Sequence, residues 1–385
     1  MSNRQLKILK NVLLSTNENR LKPTDIHFSD KIEKIIDRTS SETEWNEINT
    51  IDKRNSYSKK LPPLDYPDNT RIYDGEFRVL IPGTIDSHVH FDTPGFEDRD
   101  DFEHGSTAAA FGGVTTVIDM PCTSLPPVTN KNNFEIKLDT LKSRSLVDYA
   151  LYGGVCGNDF DNNLNIENQI QDLSDKGVAA FKIYLISGMS TFADLTEDRI
   201  LHAANWIKKT GKPLAVHAED KKLIVERSAA SKSDGQNTWQ AYCSARDDQA
   251  EAKAIELLIK IAEKTGCQIH IVHLSSKLGL DLIREARNKG LKITSETCPH
   301  YLFFTQEDFN NQKISAYLKT APPVKKDMDN EALWQGLKDG TLSFVVTDHA
   351  GCNPEIGKSS NNFWEVYGGF PGVEHRVPFL FSEGF

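Results

Sequence analysis

From Phe77 onward the chain repeats one pattern, and that pattern restricts its fold more than any single motif. Short apolar runs rich in Val, Ile and Thr alternate with longer amphipathic segments. The runs are VLIPGTIDSHVHF, VTTVIDMP, VDYALYGGV, GVAAFKIYLIS, PLAVHAED, QIHIVHLSS, LKITSETCPH and LSFVVTDHA. Between them DFEHGSTAAAFGG, NNFEIKLDTLKSR, TEDRILHAANWIKKTGK, DDQAEAKAIELLIKIAEKTG, SKLGLDLIREARNKG and DNEALWQGLKDG carry helical periodicity. Several of these end in Gly (TGK, KTGC, NKGL, KDGT), as helix C-termini do. Strands alternating with helices imply βα units and a parallel sheet. Eight runs fit a closed barrel better than an open sheet. An open doubly wound sheet would want a glycine fingerprint after its first strand, and here that strand ends in His-Val-His. The expected fold class is therefore α/β, a (β/α)8 TIM barrel over residues 79–385.

Residues 1–78 have another texture. LKILKNVLLS reads as a strand, and the charged stretch that follows holds two Pro-containing turns. A β-rich unit with one short helix and a mobile stretch around 38–60 is expected there. The net charge of -10 argues against nucleic acid as a partner. The opening MSNRQLKILKNVLLS lacks the apolar core of a signal peptide, and no run is long enough to span a bilayer. Six scattered cysteines without a CxxC pair read as reduced thiols, which places the chain in the cytoplasm.

The polar residues gather at the C-terminal ends of the runs, the face where barrels build their active sites. The first run carries His88 and His90, the fourth Lys182, the fifth His217, the sixth His273 and the eighth Asp348. His88 and His90 share a face because a strand alternates with period two. Neutral imidazole with a carboxylate suits a divalent metal such as zinc. A lone His at a strand end is more often structural than a ligand, but six such groups at one end of separate strands form a joint pattern. Lys182 lies inside AAFKIYLISG, a strand apolar on both faces, where a bare ammonium is costly. Such a lysine escapes to solvent, is paired, or is chemically modified. His270 is three residues from His273, so it reads as structural. His300 and His349 sit beside the site and are candidates for orienting ligands or substrate.

These motifs, with TAAAFGGVTTVIDMP, AVHAED, SETCPHYLFFT, KTAPPV, LWQGLKDGT and TDHAGCNPE, resemble the amidohydrolase superfamily in its cyclic-amidohydrolase branch. That branch includes allantoinase, dihydroorotase and dihydropyrimidinase/hydantoinase, and the resemblance covers about residues 75–385. It implies a hydrolase acting on the ring C–N bond of a small cyclic amide, with two divalent metal ions, zinc by family habit. His88, His90 and Asp348 would hold one ion, and His217 and His273 the other. Lys182 would react with CO2 to give a bridging carbamate, N6-carboxylysine. Asp348 would be the catalytic residue that carries the proton from water to the leaving nitrogen. Asp92, Ser295, His300 and Ala321 are the candidates for substrate contact.

The substrate is expected to be a cyclic ureide or imide, allantoinase-like first, with dihydroorotase-like and hydantoinase-like activity as alternatives. Dihydroorotases place Arg where this chain has Asp92, and Asn where it has Ala321. VIDMPCTSLPPVT and KTAPPV look like allantoinase, whereas the allantoinase pattern NEPGRTxWEGF is replaced by DTPGFEDRDDFEHG. A catalytically dead scaffold would be expected to have lost ligands, and all six positions are filled. A mononuclear deaminase would have no need of the lysine. The family also implies an N-terminal β-sandwich completed by strands that return after the barrel. On that comparison residues 1–78 form an incomplete sandwich with a polar insertion, and the barrel portion looks truncated at its C-terminus. Unpaired strand edges invite association, so a homo-oligomer, dimer or tetramer, is expected.

Overall fold

The structure is a computed structural model that describes residues 5–15, 21–39, 51–59, 61, 66 and 68–384. The chain divides into two units, Met1–Pro82 and Gly83–Phe385.

In the first unit, β1 (Lys7–Ser15), β2 (Leu21–Phe28), β3 (Ile32–Asp37) and β4 (Arg71–Asp74) form one sheet in the order β3-β2-β1-β4. β1–β2 and β2–β3 are antiparallel, and β1–β4 is parallel. A helix spans Ile51–Ser58, inside the stretch expected to be mobile. Its Tyr57 is buried with Leu13, Leu61 and Phe77, and this apolar contact holds the segment. Residues 40–50 and 60 of that stretch lie outside the described residues.

The second unit is built from β5 (Thr84–His90), β6 (Val114–Asp119), β7 (Asp148–Leu151), β8 (Gly153–Gly154), β9 (Phe181–Tyr184), β10 (Leu214–His217), β11 (Ile269–Ile271), β12 (Ile293–Thr297), β13 (Phe344–Val345) and β14 (His349–Ala350). They make two parallel sheets, β13-β12-β11-β10-β9-β8 and β14-β5-β6-β7. Only Tyr152 separates β7 from β8, and β13 and β14 belong likewise to one run. The first half of each broken run pairs on one side and the second half on the other, so the two sheets join into a closed ring. The eight apolar runs of the sequence are the eight staves of this barrel.

The expected helices are present as Phe102–Phe111, Lys131–Leu141, Glu197–Thr210, Asp248–Thr265, Lys277–Asn288 and Asp327–Lys338. Gly211 and Gly266 close two of them in the left-handed conformation that glycine adopts without strain. Helices at Ile166–Asp175, Lys221–Ser233, Trp239–Ala245 and Arg376–Glu383 are additions to that expectation. In the first of these Ile166, Ile170 and Leu173 are buried at helical spacing, a signal the sequence does carry.

Strand parity sorts the barrel residues. Phe181, Ile183, Leu214 and Val216 face the helices and belong to the main apolar core. Ala180 and Ala215 belong to a separate cluster with Met120, Val272 and Phe192, which fills the barrel interior. Lys182, of the same parity as Ala180, therefore points inward. Its register neighbours are Gly154 on β8 and Ala215 on β10, so two small residues make room for one long side chain. A Cβ at Gly154 would lie 2.5 Å from the ring of buried Phe192. Gly154→Val is expected to cost about 1–3 kcal/mol by overpacking, read as a lower urea midpoint at unchanged slope; wild-type stability would refute it.

Candidate metal centre

The two histidines of β5 and the aspartate after β13 meet across the closure of the barrel. His88 Nε2 lies 3.0 Å from Asp348 Oδ1, and His90 Nε2 lies 3.1 Å from the same oxygen. These three side chains offer ligand atoms that all lie within 4.8 Å of one another. His88 Nε2 is buried and has no hydrogen-bond partner despite that proximity: with the ring proton on Nδ1 toward Glu296, Nε2 and the carboxylate oxygen meet as two acceptors. Burial raises the Asp348 carboxyl, but His88, His90 and His273 around it hold it well below the usual carboxylate range. It is an anion at neutral pH.

A second pair stands beside this cluster. His217 Nδ1 is 3.0 Å from His273 Nε2. Burial keeps both imidazoles below their ordinary pKa, hence neutral at neutral pH. Lys182 Nζ is fully buried without a hydrogen-bond partner and lies 4.9 Å from the centroid of the Tyr184 ring. Desolvation lowers its pKa to about 8, while Asp348 and Glu296 nearby work against that shift.

Two of these groups reach the site by leaving the strand pattern. His273 has φ +40 and Asp348 φ +50. By parity His273 should face away from Val272, which lies in the interior cluster. The left-handed turn swings it inward instead. Such conformations cost a residue with a Cβ on the order of 1–3 kcal/mol and persist where the surroundings impose them. Behind Asp348, the backbone N–H and hydroxyl of Thr347 both donate to Asp86, at 3.2 and 2.7 Å. That contact fastens the last run to β5.

Two buried carboxylates orient the imidazoles, and sequence reasoning passed over both. Glu296 accepts from His88 Nδ1 and from His270 Nε2, the latter at 3.0 Å. Glu219 accepts from His217 Nε2 at 2.8 Å and from Arg246, whose Nε is 3.1 Å from Oε1 and whose terminal nitrogen meets Oε2. Each leaves the other ring nitrogen of its histidine facing the site, which fixes the tautomer. The signal was present: Glu219 follows His217 by two residues, and Glu296 has the parity of inward Thr294. His270 is structural, as its spacing suggested; its Nδ1 pairs with Thr294 Oγ1 at 2.8 Å.

A cavity of about 480 Å³ opens over the cluster, its wall including His90, Tyr184, His217, His273, Ala321 and Asp348. Ala321 is thus the one expected substrate contact on this wall. Ser295 has the outward parity of Ile293, is fully buried and donates to the Thr341 carbonyl at 3.4 Å. His300 is buried with its ring against Tyr301 and Phe370, and burial lowers it to about 4, so it is neutral. Asp92 is buried, both its oxygens are without hydrogen-bond partners, and desolvation raises it to about 7. None of these three residues lines the wall of this cavity. His349 is structural too. Its Nε2 pairs with Asp100 at 2.9 Å, and its Nδ1 accepts from the backbone of Gly372 and Val373. The six cysteines form no disulfide, and five of them are buried.

A closed parallel barrel that gathers histidines, a lysine and a carboxylate at the C-terminal ends of its strands defines a barrel enzyme. The model of the amidohydrolase family matches residues 79–368. An allantoinase of Bacillus licheniformis is 34% identical over 328 residues, 83% of this chain and 70% of that protein. An allantoinase of Enterococcus faecalis is 34% identical over 323 residues, 81% of this chain and 69% of that one. Among solved structures, the L-hydantoinase (dihydropyrimidinase) from Arthrobacter aurescens superposes with a TM-score of 0.82 at 27% identity, covering 97% of this chain and 76% of that chain. The chain belongs to the amidohydrolase family.

The Glu219–Arg246 pair is nearly sealed from water. Glu219→Ala strands a buried guanidinium and is expected to destabilise by about 3–5 kcal/mol. Glu219→Leu combined with Arg246→Met should recover part of this loss in chemical denaturation. Additive losses would show the pair uncoupled. Glu296 is held down to about 2, burial being outweighed by His88 and His270. Its folded pKa is depressed, so its stabilisation is present above the unfolded carboxylate value and lost as pH falls from there toward about 2. Glu296→Gln is expected to flatten that part of the stability–pH curve, and an unchanged slope would refute the assignment.

Proposed function

We propose that this chain is a dinuclear metal-dependent cyclic amidohydrolase that opens the ring of a small cyclic ureide, allantoinase-like. The observation that carries the reading is the convergence of His88, His90, His217, His273 and Asp348 around a buried, partnerless Lys182. Two features fit a cation site. His88 Nε2 is desolvated without a partner, and two neutral imidazoles present facing nitrogens at 3.0 Å. A buried polar atom left unsatisfied, as His88 Nε2 is, is costly, and a cation beside it would relieve the cost. His88, His90 and Asp348 would hold one ion and His217 and His273 the other, with the Lys182 carbamate between them. Zinc suits imidazole and carboxylate donors.

Bound divalent ions would supply Lewis-acid polarisation of the ring carbonyl and acidify a water. The protein supplies the rest. The Lys182 amine lies close enough to neutrality to add to CO2; an N–C bond forms and one proton leaves, giving an anion. Glu219 and Glu296 keep the imidazole tautomers in place. Asp348, an anion within 3.1 Å of both β5 imidazoles, accepts the proton of the attacking water and delivers it to the leaving ring nitrogen. The cavity of about 480 Å³ has room for a small heterocycle and encloses it on several sides. Two allantoinases at 34% identity favour a ureide ring. The L-hydantoinase at 27% identity supports a second reading, a hydantoinase.

A spectrophotometric screen of allantoin, hydantoin, dihydrouracil and dihydroorotate with zinc and bicarbonate present tests the reading. Turnover of allantoin above the others is expected, and turnover of none would reject it. Lys182→Ala is expected to lose bound metal and activity, with partial rescue by a short carboxylic acid. Two ions and full activity in that variant would remove the bridging role. Because the amine must be neutral, carbamate formation in the metal-free protein at fixed dissolved CO2 is expected to rise between about pH 7 and 9. It can be followed by carbon-13 NMR of labelled CO2, and a flat response would count against the assignment.

A further inference from the structure

Two guanidinium groups, Arg99 and Arg246, stand on the wall of the cavity over the cluster. They are not equivalent. The fork of Arg246 is engaged by Glu219, which neutralises its charge and occupies its donors. Among the described residues, no hydrogen bond or ion pair engages the Arg99 guanidinium. Aromatic faces hold it: its Cζ lies 4.6 Å from the Phe96 ring centroid and 5.6 Å from that of Tyr367. Its backbone is set by a turn, with Phe96 N–H donating to the Asp92 carbonyl at 3.0 Å and Arg99 N–H to the Phe96 carbonyl at 2.9 Å. Of the nearby acids, Asp100 is occupied by His349, and neither oxygen of buried Asp92 makes a hydrogen bond, so neither carboxylate engages the fork. A stacked guanidinium whose donors no group among the described residues takes up, on the wall of a cavity, is suited to a planar oxygen acceptor on a ligand. Arg99 also lies in DTPGFEDRDDFEHG, the stretch where the sequence leaves the allantoinase pattern.

We propose that Arg99 is a specificity-determining residue that receives the exocyclic arm of the substrate ring, an arm ending in a planar acyl oxygen, either a ureido carbonyl or a carboxylate. The inference rests on the cyclic-ureide reading above and deepens it. Three ligands with one common ring test it: hydantoin without an arm, allantoin with a 5-ureido arm, and hydantoin-5-acetate with a carboxylate arm. Their dissociation constants are measured by stopped flow before the first turnover, on protein loaded with zinc and bicarbonate, alongside hydrolysis rates.

The wild type is expected to bind at least one armed ring about 10- to 100-fold tighter than hydantoin, as a charge-assisted hydrogen bond allows. The arm with the larger ratio identifies the acceptor. Arg99→Met is expected to bring that ratio to within about threefold of one, and Arg99→Lys, which keeps the charge but not the fork, to an intermediate value. The lysine variant keeps a long cationic stem, so its ratio also reports if the methionine variant fails to fold. The same ratio in wild type and variants would overturn the proposal. So would a wild type that binds hydantoin as tightly as both armed rings, or binds none of the three. Arm preference that depends on Arg99 without hydrolysis of any ligand would uphold the Arg99 contact and reject the hydrolase reading.

Discussion

Closure of the barrel between its first and last strands is the constraint on which the site depends. β14 pairs with β5 through His349↔Val89 and Ala350↔His90, and Asp86 takes both the N–H and the hydroxyl of Thr347. Asp348 follows Thr347 directly. The contact that closes the ring therefore also delivers the carboxylate to His88 and His90, some 260 residues away in sequence. A parallel barrel has no free edge to absorb a slipped register. The left-handed conformations at His273 and Asp348 are tolerated within that frame.

The site is layered, and each layer restricts the next. The interior cluster sets the space, with Gly154 and Ala215 flanking Lys182. Above it, Glu219 and Glu296 fix the imidazole tautomers from behind. The resulting groups converge on one place, where His88 Nε2, His273 Nδ1 and Lys182 Nζ are buried without a hydrogen-bond partner. Buried polar groups left in this way are rare in folded proteins because of their desolvation cost. Their concentration at one end of the barrel separates the site from a buried ion pair such as Lys137–Asp119, in which each charge has its partner.

Arg246 and Arg99 show how identical side chains take different work from their surroundings. Arg246 is half of a buried ion pair that reaches a histidine of the cluster, so its contribution passes through His217. Arg99 stacks on aromatic faces, and among the described residues no hydrogen bond or ion pair takes up its donors. The difference lies in whether a carboxylate packs against the fork, which only the folded chain determines.

The sequence by itself determined the barrel, because alternation of buried strands with amphipathic helices has few other closed solutions. It also determined that His88, His90, Lys182 and His217 face inward, since strand parity is a local property. The tertiary structure decided what parity cannot reach. His273 enters the site through a left-handed turn, against the alternation of its strand. The sequence marks Glu219 and Glu296 only as acids of inward parity, and their partners His217, Arg246, His88 and His270, which make them anchors for the imidazoles, are brought to them by the fold. Ser295 lies one residue from inward-facing Glu296 and faces the helices. Asp92 and His300 are buried, His300 with its ring against Tyr301 and Phe370, and neither lines the cavity. Local pattern sets which way a strand residue points, whereas partners distant in sequence set what it meets there.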